Sequence, residues 1–421
     1  MSRDWSEIDN KLLDASWHTG RDYLDVYKTL RDEDPVHWAQ DDHFGRGYWF
    51  VSRHDDVKHL ISNPPQITSR LGSKIPVRSR RYTPEERYSL NFDTTITFVD
   101  NPVHLMMRRP INKHFSVPSI ARLASRIEGH IDDIIADVAA KGDFDFVLDV
   151  AAELPLRVVL TLLDVPKEDW EEVKHATHLW GTPFDPRYMI DGDPLKTQYE
   201  GRRRLNEYAQ ELTTRRRANP GDDLVTAITK LEFDGDPLSD KEVVTWIISL
   251  IGGGLETTRN AASVGIDLFG KNPDQRQLLM DDPSLSNVAV EEMVRWISPQ
   301  KVLLRSAAED FELGGKEIRL GDWILAGVLS ANRDERVFDN PDSFDILRTP
   351  NPHVGFGDGT HLCLGRALIR LELGMLFPKL FRTFPDLEYT GDGALKWIPD
   401  YNSVGLYEYK MTTGKVPALA R

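Results

Sequence analysis

A single cysteine, Cys363, occurs in 421 residues, inside the run Phe356-Gly357-Asp358-Gly359-Thr360-His361-Leu362-Cys363-Leu364-Gly365. A lone thiol is most often a small buried hydrophobe. Three glycines around this one allow tight turns and the close approach of something bulky, which simple burial does not require. A structural zinc site needs about four ligands, and only His361 stands nearby. No disulfide can form within the chain, so a reducing cytoplasm fits. A Cys-His nucleophile stays open, although an irregular loop gives that pair no assured hydrogen-bond geometry. The remaining chemistry is a metal held by one thiolate inside a cofactor that supplies the other ligands, for which haem iron is the candidate.

A second constellation lies upstream, in Ile251-Gly252-Gly253-Gly254-Leu255-Glu256-Thr257-Thr258. Ser239 with Glu242 forms a capping box, and Gly270 before Lys271, Asn272 and Pro273 is a stop signal. The helix between them spans about thirty residues and roughly 45 Å. Three consecutive glycines cost such a helix roughly 1 kcal/mol each relative to alanine, so something approaches the backbone there or distorts it. Ser249, Gly253 and Thr257 share a face by their spacing, with Gly252 beside them.

The cysteine run resembles the haem-binding signature of the cytochrome P450 monooxygenases, Phe-Gly-x-Gly-x-His-x-Cys-x-Gly, at every fixed position. The resemblance implies haem b with Cys363 as its axial iron ligand, and Phe356 and Gly365 at the cofactor. It makes Glu292 and Arg295 the Glu-x-x-Arg pair beneath the haem, joined by Arg348 four residues after Phe344. The glycine-rich helix is similar to the family's oxygen-binding motif, which implies that Gly253 leaves room for dioxygen while Glu256 and Thr257 serve catalysis by passing protons. Asp100 to Arg108 resembles the family's His-x-x-x-Arg helix, with Phe115 beyond it, so His104 and Arg108 would face one haem propionate. Arg305 and His361 are similar to the other propionate partners. A buried carboxylate needs such charge-assisted hydrogen bonds.

These groups need a scaffold. Helical apolar periodicity dominates, with short alternating stretches between, so the expected architecture is mostly α with a small β portion. The resemblance implies the cytochrome P450 fold, with Val36-His37-Trp38 and Trp49-Phe50-Val51 similar to early strands of its small sheet. The resemblance runs along nearly the whole chain, no linker or repeat interrupts it, and residues 1–421 read as one haem-thiolate domain. The N-terminal segment is charged and lacks a run of about eighteen apolar residues, so neither membrane anchor nor signal peptide is expected. The location expected is cytoplasmic. A net charge of −15 argues against nucleic acid as the main partner.

The short tail after Cys363 leaves no space for a flavin domain, and no further cysteines exist to hold an iron-sulfur cluster. Electrons are therefore expected from a separate ferredoxin with an NAD(P)H-dependent reductase, docking near Arg109, Lys113, Arg366 and Arg370. The expected reaction inserts one atom of O2 into a hydrophobic small molecule. Phe92, Phe98, Val302, Leu303 and Val404 fall in the family's variable substrate regions, with Ser249 and Gly252 on the long helix. Gly252, where many members carry a bulkier aliphatic residue, is expected to widen the pocket. The alternatives are a haem-thiolate enzyme that uses peroxide or isomerises its substrate, and a haem-based sensor or ligand-binding protein.

Overall fold

The computed structural model describes residues 5–41, 46–70, 72, 95–183, 185–233 and 235–414. Its axis is the long helix Asp240–Lys271. The helix starts at the expected capping box, where the Glu242 N–H donates to Ser239 Oγ (3.3 Å) and the Ser239 N–H donates to Glu242 Oε2 (2.8 Å). It runs one residue past the expected stop and ends where the Asn272 N–H returns to the Leu268 carbonyl. Buried residues lie on every side of it between Val243 and Phe269, so other helices must enclose it.

Two cores do so. Val243 to Leu255 pack with side chains of helices Glu153–Leu162, Trp170–Gly181 and Pro194–Ala218. Ala261 to Phe269 pack instead with helices Ala124–Lys141, Ser286–Ile297 and Arg366–Thr383. The Gly252–Thr258 stretch therefore sits where one core hands over to the other, and a helix crossing both is held at each end.

A five-stranded sheet lies apart from this helical body, in the order Val36–Asp41, Arg46–Val51, Trp323–Ala326, Leu303–Ala307, Ile67–Thr68. The two early strands pair antiparallel with Val36 opposite Val51. Strand Leu303–Ala307 sorts its residues by parity. Val302 and Leu304 enter the apolar cluster of Tyr23, Tyr27 and Trp323, while Leu303 and Ala307 lie against a different one, leaving Arg305 on their side. Val302, expected in the substrate pocket, is thus a core residue at 2 % exposure.

Candidate functional site

The cysteine loop is bent by two glycines in the left-handed region, Gly357 at φ +75° and Gly359 at φ +58°. A side chain at Gly359 would also meet the Ser62 carbonyl at 2.5 Å, so glycine is required there twice over. The Cys363 N–H donates to the Phe356 carbonyl (2.8 Å), closing the loop. The Phe356 ring packs between the Arg370 guanidinium, 4.9 Å from its centroid, and the His353 ring, 5.6 Å away. Burial pushes the Cys363 thiol up, only partly offset by the Gly365 N–H and the charges of Arg108, Arg366 and Arg370. A bound cation would complete the ionisation, because a coordinating thiol is deprotonated outright.

Beneath the loop, Glu292 and Arg295 form a fully buried pair, with Nε to Oε2 at 2.7 Å and Nη2 to Oε1 at 2.8 Å. Arg348 Nε donates to both Glu292 oxygens at 3.1–3.2 Å. Arg295 also donates to the carbonyls of Asn332, Pro341 and Ser343. Asn332 passes the restraint onward, since its Oδ1 accepts the Val354 N–H (2.8 Å) at the start of the cysteine loop. Asn332 stands in Ala331-Asn332-Arg333-Asp334, a run before the cysteine loop that resembles one recurring in bacterial members of the family.

His104, Arg108, Arg305 and His361 come together from three elements, the first two from helix Val103–Asn112, Arg305 from strand Leu303–Ala307 and His361 from the cysteine loop. The His104 and His361 rings lie 4.3 Å apart. Burial and the Arg108 charge push His104 down to about 4. Burial, then Arg305, His104 and Arg108, push His361 down to about 2. Burial brings Arg305 down to about 10 against the pull of Asp100. His104 Nδ1 and Arg305 Nε are buried and have no hydrogen-bond partner among the described residues. Several cationic or neutralised donors, two with unused atoms, make an anion cradle that suits the carboxylates of a porphyrin. Arg108 departs from its expected orientation, for its guanidinium donates to the carbonyls of Thr360 and Leu362 and so clasps the cysteine loop. Two further residues belong to this cradle. Ser69 Oγ lies 3.2 Å from His361 Nε2, and Asp100 accepts from Asn63, Thr68 and the Ser69 N–H.

On the long helix the three glycines do different things. A Cβ on Gly253 would meet nothing within 4 Å, although the residue is mid-helix, and the same holds at Gly365 beside the cysteine. Both therefore leave space where a flat cofactor and its ligand could approach. Gly252 does not widen a pocket. A Cβ there would lie 2.1 Å from Trp180 Cζ3, so the indole already fills the notch. Gly254 is likewise occupied by Val159, at 2.6 Å. The Thr257 hydroxyl donates to the Gly253 carbonyl (2.9 Å), which leaves its oxygen available as an acceptor. Glu256 Oε1 pairs with Arg259 Nη1 at 3.2 Å.

The other expected pocket residues divide. Phe98, Ser249 and Leu303 are half-buried, and the Ser249 hydroxyl is spent on the Thr245 carbonyl (2.7 Å). Val404 is a core residue at 2 % exposure, because its turn is seated between the long helix and the residue 299–302 segment through Leu406 N–H to Ser263 Oγ and Asn402 Nδ2 to the Val302 carbonyl. Phe92 lies outside the described residues. A cleft of about 640 Å³ opens at the far end of the long helix, beside Asp267, Lys271 and Tyr409, and includes none of the expected site residues.

A half-buried thiol on a glycine-bent loop, an anion cradle and a helix opened by Gly253 define a haem-thiolate oxygenase. The comparisons agree. The cytochrome P450 family model matches residues 283–396. A steroid C26-monooxygenase of Mycolicibacterium smegmatis is 33 % identical over 97 % of this chain and 97 % of its own. A methyl-branched lipid omega-hydroxylase of Mycobacterium bovis is 31 % identical over 90 % of this chain and 89 % of its own. A Mycobacterium marinum cytochrome P450 solved in complex with pseudoionone superposes with a TM-score of 0.85 at 32 % identity, covering 93 % of this chain and 94 % of that one. The chain belongs to the cytochrome P450 family. It is a haem b monooxygenase that hydroxylates hydrophobic substrates using O2. Among the described residues no helix is long and apolar enough to cross a membrane.

Proposed function

We propose that this monooxygenase hydroxylates an unactivated carbon near the end of a branched aliphatic chain, as on a steroid side chain or a methyl-branched lipid. The observation that carries the reading is the end-to-end match to a steroid C26-monooxygenase. The methyl-branched lipid hydroxylase supports it, since both names describe oxidation at a chain terminus. Residues 1–421 act as one haem-thiolate domain, a reading supported by the same coverage, and the enzyme works in the cytoplasm.

Cys363 would hold the iron, Phe356 and Gly365 would flank the porphyrin, and His104, Arg108, Arg305 and His361 would receive its carboxylates. When bound, the haem activates dioxygen and delivers one of its atoms to the substrate, and the thiolate favours oxygen-bond cleavage. Gly253 leaves dioxygen room against the helix. Thr257, with its own proton on the Gly253 carbonyl, offers its oxygen as the acceptor beside that space, and Glu256 supplies the proton. Phe98 and Leu303 contribute apolar surface that excludes water. A ferredoxin with its NAD(P)H-dependent reductase supplies electrons, docking on the exposed Arg109 and Lys113. Arg366 and Arg370 are committed elsewhere, the first to the Cys363 carbonyl (3.0 Å) and the second to Glu291 (2.5 Å).

The test is a ligand panel read by the haem spectrum and by product analysis with ferredoxin and reductase. A steroid with its aliphatic side chain and a methyl-branched fatty acid should shift the haem spectrum and yield terminal alcohols. A steroid lacking the side chain should not be hydroxylated. Hydroxylation confined to the ring system of both steroids would overturn the reading. Cys363→Ser should abolish the thiolate spectrum and oxygenation together.

A further inference from the structure

Oxygenation consumes protons, because one oxygen atom of O2 leaves as water, and Glu256 must be recharged for each turnover. Glu256 lines a cavity of about 20 Å³ between the long helix and helices Glu153–Leu162 and Trp170–Gly181. The polar residues around it are Lys174, Thr177, His178, Glu256 and Arg259. One water needs about 10–15 Å³ and two to four polar partners, so the space fits a single molecule.

Two buried atoms there have no partner. His178 is 8 % exposed and Arg259 2 %, and neither His178 Nδ1 nor Arg259 Nε has a hydrogen bond among the described residues. Buried donors and acceptors are almost always satisfied by protein or ordered water. The Arg259 guanidinium is fixed by Glu256 at 3.2 Å and by the Leu406 carbonyl at 3.5 Å. The His178 ring stacks on Tyr188 with centroids 4.6 Å apart and planes 11° from parallel, which fixes its orientation. Burial first, then the charges of Arg259, Lys174, Arg187 and His175, hold His178 well below its ordinary value, so the imidazole is neutral and offers both a donor and an acceptor. Lys174 connects the cavity with the surface, paired with the partly exposed Glu153 at 2.5 Å and with the exposed Glu171 at 3.7 Å.

We propose that this cavity holds one ordered water, bound by His178 and Arg259, through which Glu256 is reprotonated from solvent, with His178 as the positioning residue for that water. Glu256 releases a proton toward Thr257, and its carboxylate then takes one from the water. The water is restored by a proton from solvent arriving past Lys174, so one proton enters for each delivered. The inference rests on the assignment of Glu256 as proton donor.

The experiment compares the holoenzyme with His178→Phe, His178→Asn and Glu256→Gln. It measures the solvent deuterium isotope effect on turnover, the peroxide released per NADH and the crystal structure of each resting protein. His178→Phe should retain haem, raise the isotope effect and lower coupled turnover about tenfold, below the ~10²-fold or more of a full acid–base group. His178→Asn should restore most of the coupling. Density for a water bonded to His178 should be present in the parent and missing from the Phe variant. A dry cavity in the parent crystal overturns the proposal whatever the variants do. If Glu256→Gln impairs proton delivery while His178→Phe leaves coupling and isotope effect unchanged, the water relay fails and the Glu256 assignment stands. If Glu256→Gln is itself without effect, the assignment beneath the proposal fails.

Discussion

Glu292→Gln removes one charge without changing shape, at the most connected buried group beneath the cysteine loop. Glu292 and Arg295 are both fully buried, and Arg348 is 9 % exposed. The carboxylate accepts from Arg295, Arg348, Asn351 and the Asp345 N–H, at 2.7 to 3.2 Å. Glutamine retains one acceptor oxygen and turns an NH2 group toward guanidinium donors, leaving two cations without their anion. Removing one partner of a buried pair costs about 3–5 kcal/mol, a large part of the ~5–15 kcal/mol that holds a typical protein folded. That corresponds to a loss of roughly a hundredfold to several thousandfold in the folded-to-unfolded ratio. Urea unfolding of the parent and variant apoproteins, followed by circular dichroism, gives the difference. Because Arg295 is tied through Asn332 to Val354, the variant holoenzyme should also lose its thiolate-ligated spectrum at a lower temperature than the parent. A loss below about 1 kcal/mol with an unchanged spectrum would refute the argument that this buried anion organises the loop.

Gly252→Ala should cost about 1–3 kcal/mol by overpacking against Trp180. In a Trp180→Ala background it should become neutral or stabilising by up to ~1 kcal/mol, and additivity in that cycle would exclude the clash. His18 and His178 are both pushed well below the ordinary histidine value, chiefly by burial. Their contribution to stability is complete above about pH 6.5, where the unfolded imidazole is also neutral, and declines as pH falls toward the lowered folded values. Urea midpoints should therefore fall between about pH 7.5 and about pH 5.5, and His18→Gln should flatten that slope. Arg109→Glu should slow reduction by an acidic ferredoxin and weaken its salt dependence while leaving the resting haem spectrum intact. An unaltered salt slope removes Arg109 from the docking surface.

What the sequence made legible was what depends on local spacing. The capping box at Ser239, the pairing of Glu292 with Arg295 and the positive-φ glycines of the cysteine loop follow from offsets of a few residues, and the structure has each of them. The substrate-side readings depended on partners far along the chain. Trp180 reaches Gly252 only because helix Trp170–Gly181 is laid across the long helix, and no pattern around Gly252 encodes that crossing. Val302 and Leu303 are equally apolar, and only the register of the sheet decides that one is enclosed and the other half open. Ser69 and His178 carry no sequence signal for the same reason, since each is ordinary in sequence and meets its neighbours only through distant parts of the chain.

The three-glycine run shows how such long-range packing bears on chemistry. Successive helical positions point about 100° apart, so three adjacent glycines address three directions. Gly252 admits Trp180, Gly254 admits Val159, and Gly253 alone stays open between them. The helix is therefore pinned on two sides at the level where it must keep clear on the third, one turn before Thr257, whose hydroxyl is bonded to the Gly253 carbonyl. A substitution at either pinned glycine must move Trp180, Val159 or the helix itself. Shifting the helix would carry Gly253 and Thr257 with it, so damage at a packing position would be read out as altered oxygen chemistry without any new contact at the haem.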